Sequence, residues 1–242
     1  MIKLNTCQNT NIAVKNLVII PARGGSKGVP GKNLKKIAGM PLIYWSIKAA
    51  LESKSVDRII VSTDSQEIAK LSKSFGAETP FIRPPEISGD TATTESAVIH
   101  CLNFLSQRNE TLPENIILLQ PTSPVRKQAT IDEAFKYFEK NEASSLLSVN
   151  RFDHFLWKNM DSPVALYDYK NRPRRQDIKP IDYKFIENGS IYITKADQYL
   201  NDGNRLCNSP ICYELSDEES FEIDTHLDFI IVETILRRVN KK

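Results

Sequence analysis

The densest chemistry in the sequence lies in Pro21-Ala22-Arg23-Gly24-Gly25-Ser26-Lys27-Gly28-Val29-Pro30-Gly31-Lys32-Asn33. Its glycines let the backbone approach an anion closely and present N–H groups to it. Arg23, Lys27 and Lys32 add positive charge over one short loop, which suits a strongly anionic polyphosphate. Two commoner phosphate loops do not fit. A Walker A loop would need glycine where Ser26 stands and a hydroxyl residue where Asn33 stands. The dinucleotide fingerprint G-x-G-x-x-G is absent from the loop.

Transfer chemistry on a polyphosphate calls for a divalent cation, Mg2+ or Mn2+, to neutralise charge. Magnesium takes one or two protein carboxylates and keeps several waters. Glu222-Ile223-Asp224 is the candidate pair, because alternate residues of an extended segment point to one side. Asp224 has a second reading as the N-cap of the last helix, and Asp228, inside that helix, reads as structural. Arg174-Arg175-Gln176 offers planar guanidinium forks that bind a carboxylate bidentately, or else a solvated basic turn. Lys158 is a further candidate for a carboxylate or nucleotide contact from the same region. His100, His154 and His226 are scattered, and His100 reads as packing.

These groups need a scaffold. Short apolar runs at 17–20, 58–62, 116–119 and 145–149 alternate with helical patterns at 41–51, 66–75, 94–105 and 131–138. That alternation predicts an α/β fold with a mostly parallel twisted sheet covered by helices on both faces. The glycine-rich loop follows the first strand, at the carboxyl edge where open sheets bind ligands. The pattern breaks over 151–187, where Phe152, Phe155, Trp157, Tyr167, Tyr169 and Tyr183 mix with prolines and charges. We expect an inserted arm of antiparallel character there, whose aromatics need a partner surface, hence a homodimer. Regular structure resumes at 189–194, and a last helix covers about 226–239. The expectation is a single domain over 1–242 carrying this arm.

Composition narrows the class. The chain has 242 residues, 40% hydrophobic, enough for one sizeable core. With 32 basic and 30 acidic residues the formal charge of +2 argues against a nucleic-acid or membrane-surface protein. No apolar run reaches bilayer-spanning length and the first eleven residues carry no secretory apolar core. Cys7, Cys101, Cys207 and Cys212 form no C-x-x-C pair, so reduced thiols and a cytoplasmic location are expected.

The loop resembles the signature of the CMP-sugar synthetases: Arg, two residues, Ser-Lys-Gly, an apolar residue, Pro, one residue, Lys-Asn. It is similar to the N-acylneuraminate cytidylyltransferases in particular. Further segments agree in order: Arg83-Pro84-Pro85-Glu86 with Asp90 and Thr94, then Leu119-Gln120-Pro121-Thr122-Ser123-Pro124, then Asn188-Gly189-Ser190-Ile191-Tyr192. The resemblance covers nearly all of 16–238 and implies a Rossmann-like nucleotidyltransferase fold with a dimerisation arm. It implies that Arg23 and Lys32 hold the phosphates and the charge developing at the α-phosphorus. Ala22, Gly24, Ser26, Lys27 and Asn33 would seat the nucleotide, and Arg83 and Thr94 would read cytosine. Gln120 and Asn188 would face the sugar, and Arg174, Arg175 and Gln176 would take its carboxylate. Thr94 stands where the family usually has Ser, and Glu222 where it usually has the first Asp of Asp-x-Asp.

The implied reaction is attack of the anomeric hydroxyl of a nine-carbon 2-keto-3-deoxy sugar acid on the α-phosphorus of CTP, releasing pyrophosphate. An eight-carbon Kdo substrate, a neutral sugar phosphate and a non-catalytic nucleotide-binding regulator remain as alternatives. The residues do not name the sugar, nor a dedicated base for its hydroxyl.

Overall fold

The computed structural model describes residues 14–25 and 28–239. Ser26, Lys27 and Cys7 lie outside the described residues. Ten strands and six α-helices are present among those described: β1 (Asn16–Pro21), β2 (Lys36–Ile37), β3 (Met40–Pro41), α1 (Leu42–Glu52), β4 (Arg58–Ser62), α2 (Gln66–Ser74), α3 (Thr94–Gln107), β5 (Asn115–Leu119), α4 (Thr130–Lys140), β6 (Ser145–Arg151), β7 (Trp157–Lys158), β8 (Val164–Ala165), β9 (Phe185–Lys195), α5 (Ala196–Asp202), β10 (Ile211–Glu214) and α6 (His226–Val239).

The main sheet has the order β10-β6-β9-β5-β1-β4. β1 pairs in parallel with β4 and β5, and β10 with β6, while β9 runs antiparallel to both β5 and β6. Five strands therefore share one direction and β9 opposes them. This is the mostly parallel α/β sheet that the sequence implies. The central strands β1, β4 and β5 read as nearly continuous apolar runs because both faces are covered. Val18 and Ile20 of β1 join Ile43, Ile47, Ile68, Ile131 and Phe135 of α1, α2 and α4 on one face. Leu17 and Ile19 join Val98, Leu102 and Leu105 of α3 and Tyr199 of α5 on the other. A third cluster packs α6 through Phe229, Val232 and Leu236 onto Ile37, Leu42 and Trp45, and Ile223 is fully buried in it.

Helix entries follow local chemistry. Ser65 accepts from Ile68 N at α2, and Thr93 from Ser96 N at α3. At α6 the cap is Thr225, not Asp224. Thr225 Oγ1 accepts from Asp228 N, and Asp228 Oδ2 accepts from Thr225 N at 2.7 Å, a reciprocal box. The helix-capping reading of Asp224 is thereby corrected, and the structural reading of Asp228 holds. His100 packs edge-on against Phe81, as expected of a packing residue.

β9 begins at Phe185 rather than Gly189, because its first turn of strand pairs Arg151↔Phe185 at the base of the excursion. That excursion contains the antiparallel ribbon β7–β8 and an aromatic ladder in which Phe155 and Trp157 meet Tyr167, and Trp157 meets Tyr169. Arg172 lies over Phe155 at 4.4 Å and Arg151 over Tyr183 at 3.5 Å. Trp157, Tyr169, Met160 and Ile181 are nevertheless exposed. No helix among the described residues is long and apolar enough to cross a membrane.

Candidate nucleotide and sugar site

A cleft of about 330 Å³ opens at the carboxyl ends of β1 and β5. Arg23, Lys32, Asn33, Arg83, Thr94, Gln120 and Asp224 all line it, although they are spread from one end of the chain to the other. The strands fix this convergence, since parallel neighbours deliver their following loops to one edge.

The loop after β1 is pinned from several sides. Ala22 N donates to Ser62 O and Gly24 N to Asp64 Oδ1, each across the β1–β4 edge. Asn33 Nδ2 donates to Arg23 O at 2.9 Å, so Asn33 closes the loop as well as lining the cleft. Gly28 carries a steric requirement: a Cβ there would overlap the carbonyl oxygen of Asp224. The glycine-rich loop and the 222–224 segment therefore touch backbone to backbone.

Arg23 Nη1 reaches Asp90 Oδ1 at 3.1 Å across the cleft mouth. Lys32 is 8% exposed, and its Nζ donates to Ile223 O and stands 3.4 Å from Asp224 Oδ1. Arg83 is 5% exposed, its Nε donates to Ser88 Oγ at 3.1 Å, and its N–H donates to Thr63 O. Burial pulls Arg83 below the usual guanidinium range, against the opposing pull of Asp64.

Glu222 and Asp224 flank the anchored Ile223, whose N–H donates to Thr122 O at 2.8 Å. Burial, then the charges of Asp224 and Glu187, push the Glu222 carboxyl up to about 6, while Lys32 opposes the shift. Two neighbouring carboxylates, one of them raised by the charge of the other, form a donor set suited to a hard divalent cation. No group of three or more His, Cys, Asp or Glu ligands occurs among the described residues.

Gly189 has φ +58, and a Cβ on it would overlap the Gln120 carboxamide and lie 2.8 Å from Glu222 Oε1. This glycine lets β9 carry Gln120 and Glu222 against its backbone. Asn188, 2% exposed, lies beside it and does not line the cleft. Its Oδ1 accepts from Ser148 Oγ at 2.7 Å and from Ser190 N, and its Nδ2 is buried without a protein partner.

Arg174, Arg175, Gln176 and Lys158 are not brought to this cleft within one chain. All four sit on the exposed arm, and Arg174 is already paired bidentately with Asp177 at 2.6 and 3.2 Å. A carboxylate partner at this arm therefore falls more naturally to Arg175.

The supporting contacts of three further groups were not foreseen from the sequence. Asp64 was legible in principle as the acid just past the carboxyl end of β4. Arg126 was not: it donates to Ser46 Oγ, Gln120 O and Ser190 O, tying the loop after β5 to β9, and burial pulls it down to about 9. Arg205 bonds Glu95 at 2.6 Å, a tertiary partner that the sequence around Arg205 does not point to.

Residues 17–203 match the family model described as cytidylyltransferase. This chain belongs to the cytidylyltransferase family. Its similarity to the CMP-N,N'-diacetyllegionaminic acid synthase of Legionella pneumophila is 37% identity over 231 residues, covering 91% of this chain and 95% of that one. With the N-acylneuraminate cytidylyltransferase of Streptococcus agalactiae serotype III it shares 34% identity over 90% of its length, but only 52% of the relative's. The chain thus spans about half the length of several curated relatives it matches. Among solved structures, CMP:2-keto-3-deoxy-manno-octonic acid synthetase complexed with CTP superposes with TM-score 0.68 at 18% identity, covering 93% of this chain and 99% of that one. At that identity the likeness establishes the cytidylyltransferase fold.

Proposed function

We propose that this chain transfers CMP from CTP to the anomeric hydroxyl of a nine-carbon 2-keto-3-deoxy sugar acid, releasing pyrophosphate. One observation carries the reading: Arg23, Lys32, Arg83 and Asp224 line a single cleft at the carboxyl edge of the sheet, with Glu222 close enough to feel the charges of Asp224 and Lys32. Names of relatives at 31–37% identity, acting on N-acylneuraminic, legionaminic or pseudaminic acids, point the same way.

The nucleotide enters with its phosphates on the glycine-rich loop, and Arg83 and Thr94 face the cytosine. Arg23 and Lys32 hold positive charge where negative charge grows at the α-phosphorus, without reorganising as it grows. Lys32 is suited to this because burial and the Ile223 carbonyl fix its ammonium in place. Glu222 and Asp224 would hold Mg2+ or Mn2+, which supplies charge neutralisation of the polyphosphate when bound. Gln120 orients the sugar from the β5 side, while Asn188, buried beside Gly189, braces β9 against β6 rather than reaching the sugar. Arg175, aided by Arg174, Gln176 and Lys158, would take the sugar carboxylate from the arm of a second copy, in a cytoplasmic homodimer. Placing the hydroxyl in line with the α-phosphorus then supplies much of the rate.

Pyrophosphate release should be followed with CTP and N-acetylneuraminic, legionaminic, pseudaminic and Kdo acids, with ATP, GTP and UTP as controls. CTP-dependent release with a nine-carbon acid supports the reading. Release with Kdo alone, or none with any sugar, overturns it.

A further inference from the structure

The Gln120 carboxamide faces the cleft, and both of its ends are engaged from behind. Assigned so that neither end meets a like group, its Nε2 donates to Gly189 O at 3.2 Å and its Oε1 accepts from Arg205 Nη1 at 3.2 Å. The reversed amide would set N–H against guanidinium N–H and carbonyl against carbonyl, so this orientation alone satisfies both ends. A carboxamide has two donors and two acceptor sites, so one N–H and one lone pair remain for whatever occupies the cleft.

Arg205 is built to hold this direction. Its Nε donates to Glu95 Oε1 at 2.6 Å, and its guanidinium lies 4.9 Å from the Tyr192 ring centroid. Its carbonyl accepts from Thr194 Oγ1, and its side chain is 16% exposed. Tyr192 is in turn tied through its hydroxyl to Glu187 Oε1 at 2.5 Å. Glu95 sits in the first turn of α3, next to Thr94 at the cleft wall. Arg205 therefore joins the helix at the nucleotide side to the glutamine at the β5 side, without lining the cleft itself.

We propose that Arg205 is the positioning residue that fixes the orientation of the Gln120 carboxamide and thereby selects the hydrogen-bonding group that the acidic sugar presents to it. Glu95 anchors the guanidinium, and the guanidinium orients the amide. The amide's one free N–H then favours a hydroxyl or carbonyl oxygen at that point of the sugar. The sugar half of this inference rests on the proposed function, and the orientation half does not.

The experiment has two arms. In a 15N-labelled chain the Gln120 side-chain amide pair is assigned by its disappearance in Gln120→Glu. Both Arg205→Met and Arg205→Lys should shift that pair, because lysine can keep Glu95 but cannot hold both partners with a planar fork. In the kinetic arm, CTP turnover is measured with N-acetylneuraminic, legionaminic and pseudaminic acids. Arg205→Met should raise the KM of the preferred acid roughly tenfold and flatten the preference among the three, since one oriented hydrogen bond is lost. The KM for CTP should stay within about twofold of the unaltered protein, because Arg205 touches no nucleotide-facing group directly. Should Arg205→Met fail to fold, Arg205→Lys carries both arms. An unmoved Gln120 pair, or an unchanged sugar KM and preference, overturns the proposal. An unaltered protein inert with every acid overturns the proposed function instead, and the amide spectrum still decides the orientation.

Discussion

Lys32 Nζ stands 3.4 Å from Asp224 Oδ1, joining the loop after β1 to the segment before α6 across most of the chain. The same ammonium takes the carbonyl of Ile223, and Gly28 touches the carbonyl of Asp224. The group we assign to the phosphates and the group we assign to the metal therefore hold one another. Lys32 is buried and already partnered, while the Asp224 carboxylate stays exposed.

Arg23 and Lys32 should each matter more to turnover than to binding. Arg23→Ala and Lys32→Met should lower kcat by roughly 10²-fold or more, the usual cost of removing one preorganised charge at the transition state. CTP affinity, read by calorimetry, should fall less, because the remaining loop N–H groups and Arg83 still hold the nucleotide. Wild-type turnover by either variant would remove the loop from the chemistry.

Asp224 and Thr225 should separate function from stability. Asp224→Asn should abolish most activity and raise the Mg2+ requirement, since a neutral amide is a poor ligand for a hard cation. Its melting temperature should hold, because Thr225 and Asp228 make the helix cap. Thr225→Ala should do the reverse, costing about 1 kcal/mol of stability, about 2–4 °C in a chain of this size, with Mg2+ dependence unchanged. An Asp224→Asn variant with normal activity at low Mg2+ would refute the metal role.

Much of the scaffold was readable because burial on both faces leaves a strong signature. β1 places Leu17 and Ile19 on one face and Val18 and Ile20 on the other, and all four are fully buried, so the run had to be apolar throughout. The phosphate loop was readable because glycines and basic residues are local in sequence. β10 was missed because it is an edge strand with alternating partly exposed residues and no flanking periodicity. β9 was cut short because Phe185, Ile186 and Glu187 are all exposed and show no alternation, and only pairing with Val149, Asn150 and Arg151 makes them strand. Arg126 and Arg205 act through tertiary contacts with residues distant in sequence. No spacing rule connects Arg205 to Glu95 or Gln120. Asp224 as a cap was a sound local guess that Thr225, one residue later, displaced.

Gly189 should tolerate no side chain. Its positive φ alone disfavours alanine by about 1 kcal/mol, and a methyl group would press on Gln120 and Glu222. Gly189→Ala should therefore lower the melting temperature and cut activity at least tenfold by displacing those two side chains. Equal melting temperature and turnover would show that the β9 backbone relaxes there without consequence.

The arm yields the sharpest test of assembly. Arg174 and Arg175 lie on an exposed excursion and line no part of the cleft of their own chain. Exposed Trp157, Tyr169, Met160 and Ile181 on the same arm call for a covering surface. If a second copy provides it, each site combines the cleft of one chain with the arm of its partner. A Lys32→Met chain then has a dead cleft and a working arm, and an Arg174→Ala/Arg175→Ala chain has the opposite. Each alone should be nearly inactive. Mixed and allowed to exchange subunits, half of the dimers become heterodimers, and each of these holds one intact site. Activity should return to about a quarter of the unaltered protein, the statistical share of a two-fold dimer. Sedimentation should show dimers throughout. Monomers at micromolar concentration, or two inactive variants that stay inactive on mixing while exchanging subunits, would place the carboxylate contact elsewhere.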